Sequence, residues 1–273
     1  MAVAKTIADT ILEELNHFST TDKRPDSFTS ARLKREIRKL ENIDYTAKIL
    51  CDAILATIEG RQKEALDNFS EILKYDPDNS SMHQNFAYSL AKFGMISEAH
   101  QHYLAAVDNS PNTNKLLMDL AESSLVIHRP GDFASAFKRN SEKVNTRELM
   151  QVRVISRALK LAALFADEEI SDDDSHNMYK TAKEFRDEFK VKVINGYYRN
   201  TGMYDGPKVT FYATIEGDWE QVMDANMRLA DRVIDKDQGH LLKEVTHIFV
   251  PMNAEDAEWM SSTDKQSVSN AGH

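Results

Sequence analysis

One cysteine, Cys51, stands among 273 residues, so an intramolecular disulfide and a multi-cysteine zinc site are both excluded. That usage fits a reducing compartment, and a cytoplasmic protein is expected. Glycine (9) and proline (6) are also sparse. Few positions therefore force a helix to break, which favours a helix-rich chain. No apolar run approaches the ~20 residues of a bilayer span. The opening MAVAKTIADTILEEL carries Asp9, Glu13 and Glu14 within its apolar pattern, so it reads as an amphipathic helix and not a secretory signal. Also missing are a Gly-rich phosphate loop, H-E-x-x-H and G-x-S-x-G, which leaves no recognisable catalytic motif. Negative charge is what the chain has in excess: 44 Asp+Glu against 34 Lys+Arg, net −10. Up to residue 145 the balance is 21 against 18, and beyond it 23 against 16. Such a chain repels nucleic-acid phosphate and anionic membrane.

A period of 34 residues runs through the first half. Gly60/Gly94, Ala65/Ala99, Phe69/Tyr103, Ile72/Ala106 and Pro77/Pro111 all share that spacing. Gly131, Asp132, Phe133 and Ala136 suggest a third copy, 37 residues on, with about three residues inserted near His128-Arg129-Pro130. The small residues let two antiparallel helices approach, the aromatic fills the next turn, glycine serves the turn and proline ends the second helix. Over residues 46–145 this pattern resembles the tetratricopeptide (TPR) repeat family. In that register the first helices begin near Thr46, Ser80 and Asn114. Their packing positions are Ile49 and Ala53, Phe86 and Ala87, then Leu117, Leu120 and Ala121. The resemblance is incomplete: Asp52 takes a large apolar position, and the repeats lack the family's tryptophan.

The resemblance implies a groove lined by the first helices, holding a partner helix or peptide. By register it comprises Leu50, Ile54, Gln84, Asn85, Tyr88, Lys92, Lys115, Asp119 and Glu122. Family members that clamp a C-terminal carboxylate use Lys, Asn and Arg at five groove positions. Here Asn85 and Lys115 match, while Leu50, Ile54 and Asp119 occupy the other three, which argues against acidic tails and for a helical segment. Flanking helices of the chain itself could also fill the groove.

Around the repeats, Ile7, Ile11, Leu12 and Leu15 predict an N-terminal helix, residues 18–30 a loop, and Leu33, Ile37 and Leu40 a second helix. That helix carries Lys34, Arg35, Arg38 and Lys39, balanced locally by Glu36 and Glu41, so it reads as a solvated face. Residues 147–166 predict one further helix that could cap the stack. The run 167–177, with six carboxylates and His176, lacks calcium-loop spacing and reads as an acidic linker.

From residue 178 the order is helix, strand, strand, helix, strand. Val191–Ile194 with Tyr197 and Tyr198 predicts one strand, Val209–Ile215 the next and Glu244–Met252 the last. Asp218 is the expected N-cap of the helix between them, whose face would hold Trp219, Val222, Met223, Leu229, Ala230, Val233 and Ile234. The expected fold is thus α+β: an all-α helical-repeat array (1–166), an acidic linker (167–177), a small α+β sandwich with an antiparallel-type sheet (178–260) and a disordered tail (261–273).

Scattered groups carry no catalytic grouping. His83, His100 and His102 are expected at the surface without a metal, and Cys51 as an apolar filler. No cofactor is expected. The leading reading is a non-enzymatic interaction scaffold or regulator whose groove binds another protein, with self-association through the groove or terminal helices as a further option. The alternative is an enzyme or ligand sensor using Tyr197, Tyr198, Tyr204, Tyr212, Asp237, His240 and His247. A pocket joining Tyr197, Tyr212 and His247 would favour it; a flat apolar sheet face would not.

Overall fold

The structure, a computed structural model, describes residues 2–21, 23–111, 113–202 and 206–252. It divides into two compact units: residues 1–126 with 130–160, and residues 127–129 with those from 161 onward.

The first unit is an all-α tandem array. Its helices are α1 (Ala2–Thr21), α2 (Ser27–Arg38), α3 (Tyr45–Glu59), α4 (Gln62–Tyr75), α5 (Ser80–Lys92), α6 (Ile96–Asn109), α7 (Asn114–Val126), α8 (Pro130–Arg139), α9 (Thr146–Leu149) and the start of α10 (Arg153–Asp167). Asp26, Asp44 and Asn79 start α2, α3 and α5 by accepting hydrogen bonds from the N–H of Thr29, Ala47 and Met82, at 2.7, 2.9 and 3.1 Å. Consecutive helices pair as α3/α4, α5/α6 and α7/α8, and neighbouring pairs stack. Where stacks meet, the Phe69 ring lies 5.2 Å from that of Phe86, and the Thr57 and Ser89 hydroxyls meet at 2.9 Å. Ile49, Ala53, Phe86, Ala87, Leu117, Leu120 and Ala121 are all buried.

The third repeat keeps strict 34-residue register, which corrects the expected insertion. The turn residues with left-handed backbone are Gly60, Gly94 and His128 (φ 78°, 76° and 59°). Ala65, Ala99 and Phe133 are completely buried at one register position, and Phe69, Tyr103 and Phe137 are buried at the next. Gly131 lies inside the first turn of α8, which Pro130 opens. A histidine occupies the glycine position, so residue identity alone does not mark the third turn.

The flanks need three corrections. Helix α1 extends to Thr21, so the expected loop at 18–30 loses its first residues to α1 and its last to α2. The expected helix at 147–166 is two helices, α9 and α10, with residues 150–152 between them. Of the cations expected on a solvated, locally balanced face, Arg35, Arg38 and Lys39 are exposed, with Arg35 and Lys39 both paired to Glu36, while Lys34 reaches Glu59 at 3.1 Å. The acidic run expected as a linker supplies Asp172–Asp174 to the first turn of α11 (Asp172–Phe189). There the Asp174 N–H bonds the Ser171 hydroxyl at 3.0 Å and the carboxylates face the positive helix end.

The second unit contains α11, β1 (Val193–Asn200), β2 (Val209–Ile215), α12 (Trp219–Asp235) and β3 (Val245–Pro251). The strands β1 and β2 pair antiparallel, Tyr197 opposite Tyr212 and Arg199 opposite Thr210. The sheet is mixed, not wholly antiparallel. Because α12 carries the chain back, β3 pairs parallel to β2, with Phe211 beside His247 and Ala213 beside Phe249. A reciprocal capping box between Asp218 and Gln221 starts α12. Its buried stripe is Val222, Ala225, Leu229 and Val233; Trp219, Met223, Ala230 and Ile234, expected on that face, are exposed. Both α11 and α12 contact β3, and Phe185 meets Phe249 ring to ring at 5.7 Å. The expected tail, 261–273, lies outside the described residues.

Candidate functional site

Six of the nine expected groove residues line one cleft in the helical array. Ile54 comes from α3, Gln84, Asn85 and Tyr88 from α5, and Lys115 and Asp119 from α7. The 34-residue register brings them together, since each first helix repeats the same face. The cleft holds about 510 Å³ and is completed by Asn16, Ser19 and Thr20 of α1, and by Thr57, Ser89 and Tyr103. Leu50 is buried in the array core, Lys92 lines a neighbouring cleft, and the exposed Glu122 lines neither.

The sequence left open that a flanking helix fills the groove, and α1 is the helix that does so in part. Its end lies against the first helices, and the Tyr88 hydroxyl donates to the Ser19 carbonyl at 3.0 Å. Helix α1 packs on α3, and Ile11 and Leu15 join the same core as Leu50 and Ile54. The available signal was the apolar stripe of α1, which required a surface to cover.

Within the cleft a carboxylate, an ammonium and carboxamides converge. Gln84 Nε2 lies 3.5 Å from Asp119 Oδ2. Burial raises the Asp119 carboxyl above its ordinary value, against the opposing pull of Lys115 and Gln84. Tyr103 is pushed upward by burial and by the nearby Asp119 and Glu122. This set can hold a backbone or polar side chain by donating and accepting together. The neighbouring cleft, of about 520 Å³, shares Ser19, Thr57 and Tyr88 and adds Phe18, Lys23, Arg24, Lys92 and Phe93. Its lining carries three cations and no carboxylate, and the Lys92 ammonium lies 5.8 Å from the Tyr88 ring centre.

The alternative site residues do not converge. Tyr197 and Tyr212 stack at 4.9 Å on one face of the sheet. His247 pairs with Phe211, next along the strand from Tyr212, and so points to the opposite face. There its ring lies 5.8 Å from His128, which itself stacks on Phe211. Neither ring nitrogen of His247 has a hydrogen-bond partner, and burial, aided by Arg186, lowers its pKa to about 3. Burial, then His247, Arg186 and His176, holds His128 well below the ordinary range. The His176 Nδ1–H donates to the Ile127 carbonyl at 2.8 Å. His240 is exposed and donates to the Asp237 carbonyl at 3.1 Å; Tyr198 is half-buried beside Phe211, and Tyr204 lies outside the described residues.

The remaining candidates are structural. His100 is completely buried, contrary to the surface position expected, with Nδ1 2.9 Å from the Ser123 hydroxyl and Nε2 3.4 Å from Asp132. His83 and His102 meet at 2.8 Å, and burial lowers His102 to about 4. Among the described residues no group of three His, Cys, Asp or Glu side chains could hold a metal ion. Cys51 is buried and its thiol is pushed up to about 12 by burial, then by Asp52 and Asp44, so it is a poor nucleophile. The same Asp52 is half-buried and ion-paired with Lys48 at 3.0 Å.

No family model matches the chain, and no curated protein or solved structure matches it either. Among the described residues no helix is long and apolar enough to cross a membrane.

Proposed function

We propose that this chain is a non-enzymatic, cytoplasmic interaction protein whose array is of the tetratricopeptide type, and that it binds a helix or peptide of another protein. The cleft between α3, α5 and α7 is the observation that carries this reading. It is large enough for several side chains, and amide, ammonium and carboxylate groups converge on it. The seating of α1 supports a helical ligand, because Tyr88 already reads the carbonyl of a helix end there. Ile54, Gln84, Asn85, Tyr88, Lys115 and Asp119 would contact the partner directly. Lys92 would meet its acidic side chains at the rim, and Leu50 supports the floor. Nucleic acid and membrane surfaces are disfavoured as partners by the net charge of −10. The reading of the second unit as an enzyme draws no support from its sheet, since Tyr197 and Tyr212 face away from His247.

Affinity capture from native lysate tests the proposal, comparing wild type with a Tyr88→Ala/Lys115→Glu double variant by mass spectrometry. A protein retained by the wild type and lost by the variant, with helicity unchanged by circular dichroism, is the expected result. Equal recovery by both would remove the cleft as the binding site.

A further inference from the structure

Helices α11 and α12 pack on one face of the three-stranded sheet, where Val245, His247 and Phe249 of β3 are buried. On the other face Thr246, Ile248 and Val250 stay half-buried. Tyr212 lies beside Ile248 and opposite Tyr197, so both tyrosines and Arg199 belong to this second face. At the carboxyl ends of the parallel strands β2 and β3 it opens into a cavity of about 610 Å³. Sheets with parallel strands form ligand sites at that end, where the chain leaves the sheet for a helix. Tyr197 and Arg199 of β1 line the cavity, with Trp219 at the start of α12 and Met252 after β3. The Tyr197 and Tyr212 rings stack at 4.9 Å, and the Arg199 guanidinium lies 5.5 and 5.8 Å from their centres. Arg199 makes no ion pair among the described residues. The one carboxylate in the described lining, Asp218, is committed to the start of α12, where it accepts the Gln221 N–H at 2.9 Å. Trp219 is 70 % exposed and Met252 39 %, and large apolar side chains left in water beside a cavity mark a binding surface.

We propose that this cavity binds a small planar aromatic anion, its ring against Tyr197 and Trp219 and its anionic group on Arg199. The aromatic side chains offer flat π-faces to a ring of any substitution. The guanidinium beside them presents a planar fork of donors that matches a carboxylate or a phosphate with two parallel bonds. The volume suits a ligand of mononucleotide size. A nucleic-acid strand would need a row of cations for successive phosphates, whereas the described lining holds one, in a chain of net charge −10. The cavity shares no residue with the array cleft, so the proposal stands apart from the function assigned there.

Trp219 reports on the cavity directly once Trp259, the other tryptophan, is replaced. The full chain carrying Trp259→Phe is titrated with adenosine monophosphate and with nicotinate, which join an aromatic ring to a phosphate and to a carboxylate. Adenosine and inorganic phosphate serve as controls, each lacking one half of the recognised group. Saturable quenching of Trp219 fluorescence by at least one aromatic anion is expected, and the tighter of the two identifies the anionic group. Inorganic phosphate alone should not quench. Arg199→Gln should weaken the aromatic anion about tenfold or more with circular dichroism unchanged, since Arg199 is exposed and its side chain carries no ion pair among the described residues. Tyr197→Leu, which keeps an apolar side chain on the strand, should weaken the anion and adenosine alike, by about tenfold. No saturable quenching by either aromatic anion, adenosine binding as tightly as its monophosphate, or an affinity that Arg199→Gln leaves unchanged would each overturn the proposal.

Discussion

Both units bury histidine, and they treat it in opposite ways. In the helical array His100 bonds Ser123 through Nδ1 and turns Nε2 toward Asp132 at 3.4 Å without a hydrogen bond, and His83 bonds His102. In the second unit His247 has no hydrogen bond on either ring nitrogen, and His128 lies flat on Phe211 with its Nδ1 unpartnered. The array thus uses these histidines as hydrogen-bonding links between helices, whereas the second unit uses His128 and His247 as neutral aromatic surface. The first depends on repeated shape, the second on the proton staying off.

Breaking the shape should have the largest effect. Phe69 is completely buried and stacks on Phe86 between consecutive hairpins. Phe69→Ala is expected to cost about 3–5 kcal/mol, from lost transfer and an unfilled cavity. Urea unfolding followed by helical circular dichroism would check it.

The proton comes next. Folded His128 and His247 resist protonation, while the unfolded chain accepts protons near pH 6.5. Below that pH the unfolded state binds more protons, so stability falls as pH falls, by about 1.4 kcal/mol per pH unit for each histidine. For His247 the loss should continue to about pH 3. The groups facing this pair are Arg186, His176 and Tyr179, of which Arg186 adds to the penalty. Trp219 opens α12, so fluorescence in a Trp259→Phe background follows the second unit. Between pH 8 and 5.5 its urea midpoint should drop, and His247→Phe should remove about half of the slope. The array, whose lowered histidine is the less buried His102, should show a shallower dependence.

The turns sharpen the comparison of repeats. Gly94 has φ 76° and open space around the position of an added Cβ. Gly94→Ala should therefore cost about 1–2 kcal/mol from backbone conformation alone. Gly60→Ala should cost more, because the Arg24 guanidinium, 3.2 Å from that position, must also move. Thermal denaturation of the two variants side by side would separate strain from crowding.

These turns also explain what could be read without coordinates. The array was legible because Gly60 and Gly94, Ala65 and Ala99, and Phe69 and Tyr103 repeat one solution at a fixed spacing. His128 broke the pattern because any residue that tolerates positive φ can replace glycine, and identity then no longer marks the turn. In the second unit the strands were legible from alternation, while the direction of β3 was not. That direction depends on where α12 delivers the chain, and no local pattern records it. On α12, Trp219, Met223 and Ile234 are apolar yet exposed, so hydrophobic spacing named the wrong face in part. Six cleft residues followed from register alone, but the share contributed by α1 depended on tertiary packing.

The smallest effect concerns that share. The Tyr88–Ser19 hydrogen bond joins a partly exposed ring, 37 % accessible, to the last turn of α1. Tyr88→Phe removes the hydroxyl while keeping the ring, so the net cost should be about 0.5–1.5 kcal/mol. Global unfolding would barely register it. Hydrogen exchange would, because the lost bond anchors one helix end and its effect is local. Amides of residues 16–21 should exchange faster in the variant, while those of α5 and α6 stay unchanged. If the end of α1 is unaffected, packing of Ile11 and Leu15 holds it without help from Tyr88. If it loosens alone, the cleft gains volume where the helix end had been, and a partner helix binding there should bind the variant more readily than the wild type unless it relies on the same hydroxyl.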